Sequence, residues 1–274
     1  MPPDARAILA DPSSDPALLR RAGVELAITA DDASHQALRT ALADPALLDR
    51  LDPPPSVRGG GKTLGLSRII APLHDNGAPA SRATLTFLAS SAPFLAEWRR
   101  KDLLIVATDV LRPPAPEVIA LWEQECVPGG VHAFKVIRAC LHNASPAALD
   151  LLSRRWLSPA FPAETKQVWS RQYVVEVRTS ETLIAWAVAL IEGPLAQPVA
   201  IDLAWAFFDP PDTWYGPHST PAAPSRLTMT AQARDRLREL ANTSRRRLAP
   251  PPELLGSITR VEAELDALAP RPRP

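Results

Sequence analysis

The chain has 274 residues with 30 basic and 30 acidic side chains, so its overall charge favours neither nucleic acid nor a membrane surface. It contains 31 prolines but only 11 glycines, which is typical of many short helices that begin at proline and argues against a β-sandwich. Two cysteines cannot form a disulfide framework, and we find neither a secretory signal nor an 18-residue apolar span, so we predict a cytoplasmic protein that does not enter a membrane.

Residues 1–52 predict an N-terminal helical cap. The sequence DPALL occurs twice, at 15–19 and at 44–48, and in both places aspartate is a typical helix cap and proline fits the first turn. The sequence DDASHQALRTALA between them has helical periodicity. A linker rich in Pro and Gly follows at 53–62.

Gly61, Lys62 and Thr63 form the last three residues of a phosphate-binding loop motif. The motif needs a glycine at the position of Ser56, and its loop follows a buried strand. Three consecutive prolines at 53–55 exclude such a strand, because proline cannot donate to a strand ladder. We therefore predict no nucleotide or other cofactor, and we interpret Thr63 as the cap of the next helix.

Residues 63–208 show one repeated pattern, in which Pro, Ser or Gly precedes a segment with apolar positions three and four apart. Taken in pairs, the predicted helices begin at residues 78, 114, 146 and 180, at intervals of 36, 32 and 34 residues. Antiparallel pairs at such intervals are typical of an α-solenoid. LLIVATDVL and YVVEVR have local strand propensity, but both lie inside longer periodic segments and are predicted to be helical.

The sequence PASRATLTFLAS at 79–90 is similar to the arginine-bearing second helix of a HEAT unit, and the pattern of residues 63–208 resembles HEAT and armadillo repeats. The resemblance implies an all-α, right-handed α-solenoid of antiparallel helical hairpins. It also implies a concave surface for protein partners and, in a minority of such families, for nucleic acid or lipid. A helical bundle has similar segments and is the alternative fold.

Residues 209–225 contain five prolines and predict a long loop, after which 226–269 predict a C-terminal pair of helices. Trp214 and Tyr215 lie in this loop, and an exposed pair of this kind would anchor a partner. The alternative is that the pair packs back against the helices and holds the loop in place.

Two arginine runs with a flanking tryptophan are further candidates for partner binding: Trp98, Arg99 and Arg100, and Arg154, Arg155 and Trp156. Other runs lie at Arg20–Arg21 and Arg245–Arg247. On stacked hairpins the cations would form a ridge that binds carboxylates or phosphates, with tryptophan stacking on bases. The alternative is that cations near helix C-termini interact with the helix dipole.

Cys126, His132, Cys140 and His142 are close in sequence, but their spacing does not match a structural zinc site, and we predict no metal. The chain lacks a GxSxG or HExxH motif, and we predict that it is not an enzyme. The predicted function is a protein–protein adaptor or scaffold. The alternatives are a HEAT-like protein that binds nucleic acid through the arginine ridge and, third, an enzyme without a recognisable motif.

Overall fold

The computed structural model describes residues 4–29, 31–52, 65–209, 214 and 226–268. Within these ranges the chain is helical and has no β-strand, which confirms the predicted all-α class. Gly61, Lys62 and Thr63 lie outside the described residues, as does Tyr215.

The chain divides into two compact units, Met1–Ala139 and Cys140–Pro274. The division falls inside the region 63–208 that the sequence predicts to be repeats. The organisation into an N-terminal cap, central repeats and a C-terminal helix pair stays a prediction. In the described part of the chain, no helix is both long enough and apolar enough to cross a membrane.

The first unit is built from short helices: α1 (Ala5–Ala10), α2 (Pro16–Ile28), α3 (Asp32–Leu42), α4 (Pro45–Leu51), α5 (Gly65–Asp75), α6 (Pro79–Ser90), α7 (Ala92–Leu95), α8 (Trp98–Ala107) and α9 (Pro116–Glu125). A 3-10 turn, Thr108–Val110, follows α8, and α10 (Ala133–Asn143) contains the boundary between the units. The two DPALL sequences begin helices as predicted: the carboxylates of Asp15 and Asp44 accept hydrogen bonds from backbone N–H groups two residues later, at 2.7 and 2.9 Å.

Helices that are three apart in chain order pack side by side in the first unit, since α5 contacts α2 and α8, and α6 contacts α3 and α9. α2 and α5 run parallel: Gly23 faces Ile69, and Asn76 Nδ2 donates to the Ala27 carbonyl at 3.2 Å. α5 and α8 also have their C-terminal ends together. α2 therefore forms a parallel row with α5 and α8, while α3 and α6 are the return helices of the first two hairpins.

The second unit contains α11 (Pro146–Leu157), α12 (Ala163–Gln172), α13 (Glu181–Glu192), α14 (Gln197–Phe207), α15 (Ala231–Arg247) and α16 (Pro252–Ala267), with 3-10 turns at Val174–Val177 and Arg226–Thr228. α12 packs on α14, and α13 packs on α15. The core includes three buried tryptophans. The ring centroid of Trp156 lies 4.9 Å from that of Trp169 and 5.2 Å from that of Trp186. Neither segment with strand propensity is a strand: LLIVATDVL covers the second half of α8 and its 3-10 turn, whereas YVVEVR follows α12 and forms the 3-10 turn Val174–Val177 instead of the predicted α-helix.

Candidate functional site

The residues of the first predicted arginine run differ in burial within the first unit. Trp98 is 59% exposed at the start of α8, and the Arg99 guanidinium carbon lies 5.3 Å from its ring centroid. Arg100 is only 4% exposed and forms ion pairs with Asp49 and Glu97. Arg100 is therefore an internal ion-pair residue rather than the surface cation that the sequence suggested.

The second run lies in the second unit, and its residues also differ in burial. Arg154 is exposed and pairs with Asp150 one turn earlier on α11, while Arg155 is half-buried. Trp156 is fully buried among the tryptophans of the core. It is therefore a core residue, because a side chain without exposed surface cannot stack on a base or on a partner.

Trp214 is the described member of the predicted Trp-Tyr pair. The Arg171 guanidinium carbon lies 5.2 Å from its ring centroid, and the tryptophan is half-buried. Trp214 thus packs against an arginine of α12 in its own unit, and the role of the Trp-Tyr pair stays a prediction.

The residues considered for zinc do not assemble into a site. Cys126, His132 and Cys140 are buried. Among the described residues, no group of three or more His, Cys, Asp or Glu side chains is placed to hold a metal ion.

A cleft of about 730 Å³ lies between α2 and α5, and we call it the α2–α5 cleft. Its lining combines small apolar side chains with three arginines and one carboxylate: Ala17, Arg20, Arg21, Val24, Arg68, Ala71, Pro72 and Asp75. None of the three arginines forms an ion pair with a residue that the structure describes. The segment just before α5, residues 53–64, contains no Asp or Glu. The cleft is therefore rich in cations that lack a carboxylate partner in these parts of the chain.

The three arginines line the part of the α2–α5 cleft that is nearer the N-terminal end of α5. A Cβ atom on Gly65 would lie 3.2 Å from Arg20 Cδ, so the first turn of α5 stands beside the stem of Arg20. Because the two helices are parallel and Arg20 lies beside Gly65, Arg68 follows Arg20 by about 4.5 Å along the row. Asp75 follows Arg68 by seven residues, about 10 Å further along α5. The positive charge is thus concentrated away from the one carboxylate in the lining.

A second cleft, of about 400 Å³, lies on the other side of α5, and we call it the α5–α8 cleft. Residues of α5, α8 and α10 line it: Ser67, Ile70, Ala71, His74, Asp75, Asp102, Leu103, Val106, Ala107, Lys135 and Arg138. Ala71 and Asp75 line both clefts, so the clefts adjoin each other along α5.

Trp98 and Arg99 stand next to the α5–α8 cleft. Arg99 precedes Asp102 by three residues and Leu103 by four, and residues at these spacings share a helix face. The exposed Trp98 and the half-buried Arg99 therefore lie one turn before the cleft lining contributed by α8. We use the name α5 surface for the two clefts together with Trp98 and Arg99.

His74 is held by carboxylates at both ring nitrogens. Its Nδ1 lies 2.8 Å from Asp75 Oδ1, and its Nε2 lies 3.2 Å from Asp109 Oδ1. Partial burial lowers the pKa of His74, but the hydrogen bonds and negative charges of Asp75 and Asp109 outweigh it and raise the pKa above the usual value. Both ring nitrogens of His74 are therefore engaged by carboxylates, which favour the protonated form of the ring.

Substituting Asp109 with asparagine should lower the pKa of His74, because the substitution removes the carboxylate charge at Nε2. Titration of the histidine Cε1–H signals by NMR would measure this change. The pKa of His35, which burial lowers, should stay the same in this variant. An unchanged pKa of His74 would show that Asp109 is not its partner in solution.

Sequence reasoning noted Arg20 and Arg21 as a run, but it did not select them, and it missed Arg68, Lys135 and Arg138. The adjacent arginines Arg20 and Arg21 were the feature of the sequence that could have indicated the α2–α5 cleft. Arg68 follows Arg20 by 48 residues, so only the packing of α5 on α2 brings them to one cleft.

Comparisons of this chain with protein-family models, with curated proteins and with solved structures find no match.

Proposed function

We propose that this chain is a protein-interaction adaptor, and that its α5 surface binds a partner segment that combines acidic and apolar side chains. The lining of the two clefts, which combines cations with apolar side chains, is the observation that carries the proposal. Five cations line the two clefts: Arg20, Arg21, Arg68, Lys135 and Arg138. Between them lie apolar side chains such as Val24, Pro72, Ile70 and Leu103. Apolar contacts would supply affinity, and the cations would select and orient an acidic segment.

The packing of the first unit supports a repeat-type scaffold. The row of α2, α5 and α8, with hairpin returns through α3 and α6, is the order expected when helical hairpins stack on one another. We therefore extend the right-handed, HEAT-like solenoid prediction to the first unit. Grooves between the helices of such a row are natural binding sites, because they are concave and their walls are held by the neighbouring repeats.

Nucleic acid is the second candidate, and the three arginines of the α2–α5 cleft together with the exposed Trp98 favour it. Asp75 and Asp102 argue against it, because carboxylates in the cleft linings repel a continuous phosphate backbone. A protein segment can place its acidic groups near the arginines and its apolar groups against the apolar side chains of the cleft lining. The mixed lining therefore suits a protein better than a nucleic acid.

Capture of partners from a lysate of the source organism tests the proposal. Tagged wild-type protein should retain a partner protein after nuclease treatment. The double variant R20E/R68E should retain at least about tenfold less, since it replaces attraction with repulsion at one cleft. The measurement is quantitative mass spectrometry of the bound proteins with and without nuclease.

The matched control is R236E/R238E, which makes the same change of charge at exposed, ion-paired arginines of α15. This control should capture as much partner as the wild type. Equal capture by R20E/R68E would refute the assignment of the surface. Loss of all bound material after nuclease would favour the nucleic-acid alternative, which steep salt dependence of binding would support.

A further inference from the structure

We infer that the α2–α5 cleft binds a phosphoryl group carried on a side chain of the partner segment. This inference rests on the proposed protein-binding function and adds the chemistry of the group that is recognised. The observation behind it is that Arg20, Arg21 and Arg68 line the same part of one cleft, without an ion pair to any described residue.

The charges in that part of the cleft match a dianion. Three guanidinium groups contribute three positive charges, and the single carboxylate of the lining, Asp75, lies about 10 Å further along α5. Asp75 is also engaged by His74 Nδ1 at 2.8 Å. A phosphorylated side chain carries close to two negative charges at neutral pH, whereas Asp or Glu carries one. The dianion therefore compensates more of the local charge.

Geometry favours the phosphoryl group over a carboxylate as well. A guanidinium group is a planar fork of N–H donors that binds two oxygens of one anion. A phosphoryl group offers three acceptor oxygens in different directions, so it can serve more than one arginine at once. A carboxylate has two oxygens in one plane, so it can accept single contacts from several arginines but not a two-oxygen fork from each of three.

The size and lining of the cleft indicate that the group belongs to a larger ligand. The volume of about 730 Å³ is within the range for sites that hold whole organic ligands. Away from the arginines the walls are apolar, with Ala17, Val24 and Pro72. Inorganic phosphate would leave these walls uncovered, whereas a peptide would place its own side chains against them.

A titration with short peptides tests the inference without knowledge of the partner. The probes are the acetylated, amidated pentapeptides Ala-Ala-X-Ala-Ala, in which X is phosphoserine, glutamate or serine, and inorganic phosphate. Binding to the full-length ¹⁵N-labelled protein is followed through the arginine Nε–Hε signals. Substitution of each arginine of the cleft by lysine assigns these signals.

The phosphoserine peptide should shift the signals of Arg20, Arg21 and Arg68 and bind at least about tenfold more tightly than the glutamate peptide. R68K keeps the positive charge but loses the paired N–H donors of the planar guanidinium group, so it should weaken peptide binding several-fold. R68Q also removes the charge and should weaken binding further. R236Q on α15, outside the α5 surface, is the control and should leave the affinity unchanged. Circular dichroism of each variant confirms that it is folded.

Three results would overturn the inference. The first is equal affinity for the phosphoserine and glutamate peptides, and the second is the absence of saturable shifts at the three arginines. The third is binding of inorganic phosphate as tight as that of the phosphoserine peptide, which would assign the site to a free anion.

Phosphatase treatment of the lysate before capture separates this inference from the proposed function. Loss of the partner after phosphatase supports phosphoryl recognition. Undiminished, nuclease-resistant capture that still depends on Arg20 and Arg68 refutes phosphoryl recognition and leaves the adaptor function in place.

Discussion

Replacing Gly65 with alanine should lower the free energy of unfolding of the first unit by about 3–5 kcal/mol. The added Cβ would lie 2.0 Å from the carbonyl oxygen of Leu51 and 3.1 Å from its carbonyl carbon. Both are backbone atoms at the end of α4, so no change of side-chain rotamer can relieve the overlap. α5 or α4 would have to move. Urea unfolding followed by circular dichroism would show the loss as a lower midpoint.

Gly256→Ala is the matched control for Gly65→Ala. Gly256 lies in the middle of α16, and nothing is within 4 Å of its added Cβ. This substitution should stabilise the protein by about 0.5–1 kcal/mol, because alanine has less conformational freedom to lose on folding. If Gly65→Ala unfolded at the wild-type midpoint, the close approach of α5 to α4 would be refuted.

Replacing Asp209 with asparagine should destabilise the second unit by about 2–4 kcal/mol. Three arginines converge on this carboxylate: Nη1 of Arg178 at 3.4 Å, Nη2 of Arg226 at 2.6 Å and Nη2 of Arg260 at 3.0 Å. Arg178 and Arg226 are each only 10% exposed, so the substitution leaves buried positive charges without their shared anion. Asparagine tolerates the positive φ of 76° at this position, so the effect reports the charge. Thermal unfolding at pH 7 would measure it.

The effect of Asp209→Asn should depend on pH. Burial raises the pKa of Asp209, but the hydrogen bonds and charges of its arginines outweigh burial and hold the pKa below the usual value. Its carboxylate therefore contributes stability above the unfolded-state pKa of about 3.9, and this contribution is lost as pH falls through the lower folded-state pKa. The melting temperatures of wild type and variant should converge below about pH 4.

Asp150→Asn is the control for this variant. Asp150 and Arg154 form an exposed pair one turn apart on α11, so its loss should cost no more than about 0.5 kcal/mol. Equal effects of the two substitutions would show that the arginines around Asp209 do not depend on it.

The starts of helices were predictable because they depend on neighbouring residues alone. Asp15 and Asp44 cap α2 and α4 through N–H groups two positions away, and proline at the first helical position needs no partner. The burial of Trp156 had a signal as well. Leu149, Leu152 and Trp156 are spaced three and four apart, which places them on one helix face, and all three are buried.

The groupings of charged side chains were not predictable, because they join distant parts of the chain. Asp209 meets arginines that are 17, 31 and 51 residues away, and Arg100 is paired with Asp49, 51 residues earlier. An arginine run predicts positive charge, but its position relative to the acids decides whether that charge is compensated. Arg100 and Arg20 look alike in sequence and differ for this reason.

The position of α5 as a shared wall has a consequence for substitutions on the α5 surface. Ala71 and Asp75 line both clefts, so a substitution at either residue would change the walls of both clefts at once. A substitution at Arg20 or at Lys135 would change only one of them.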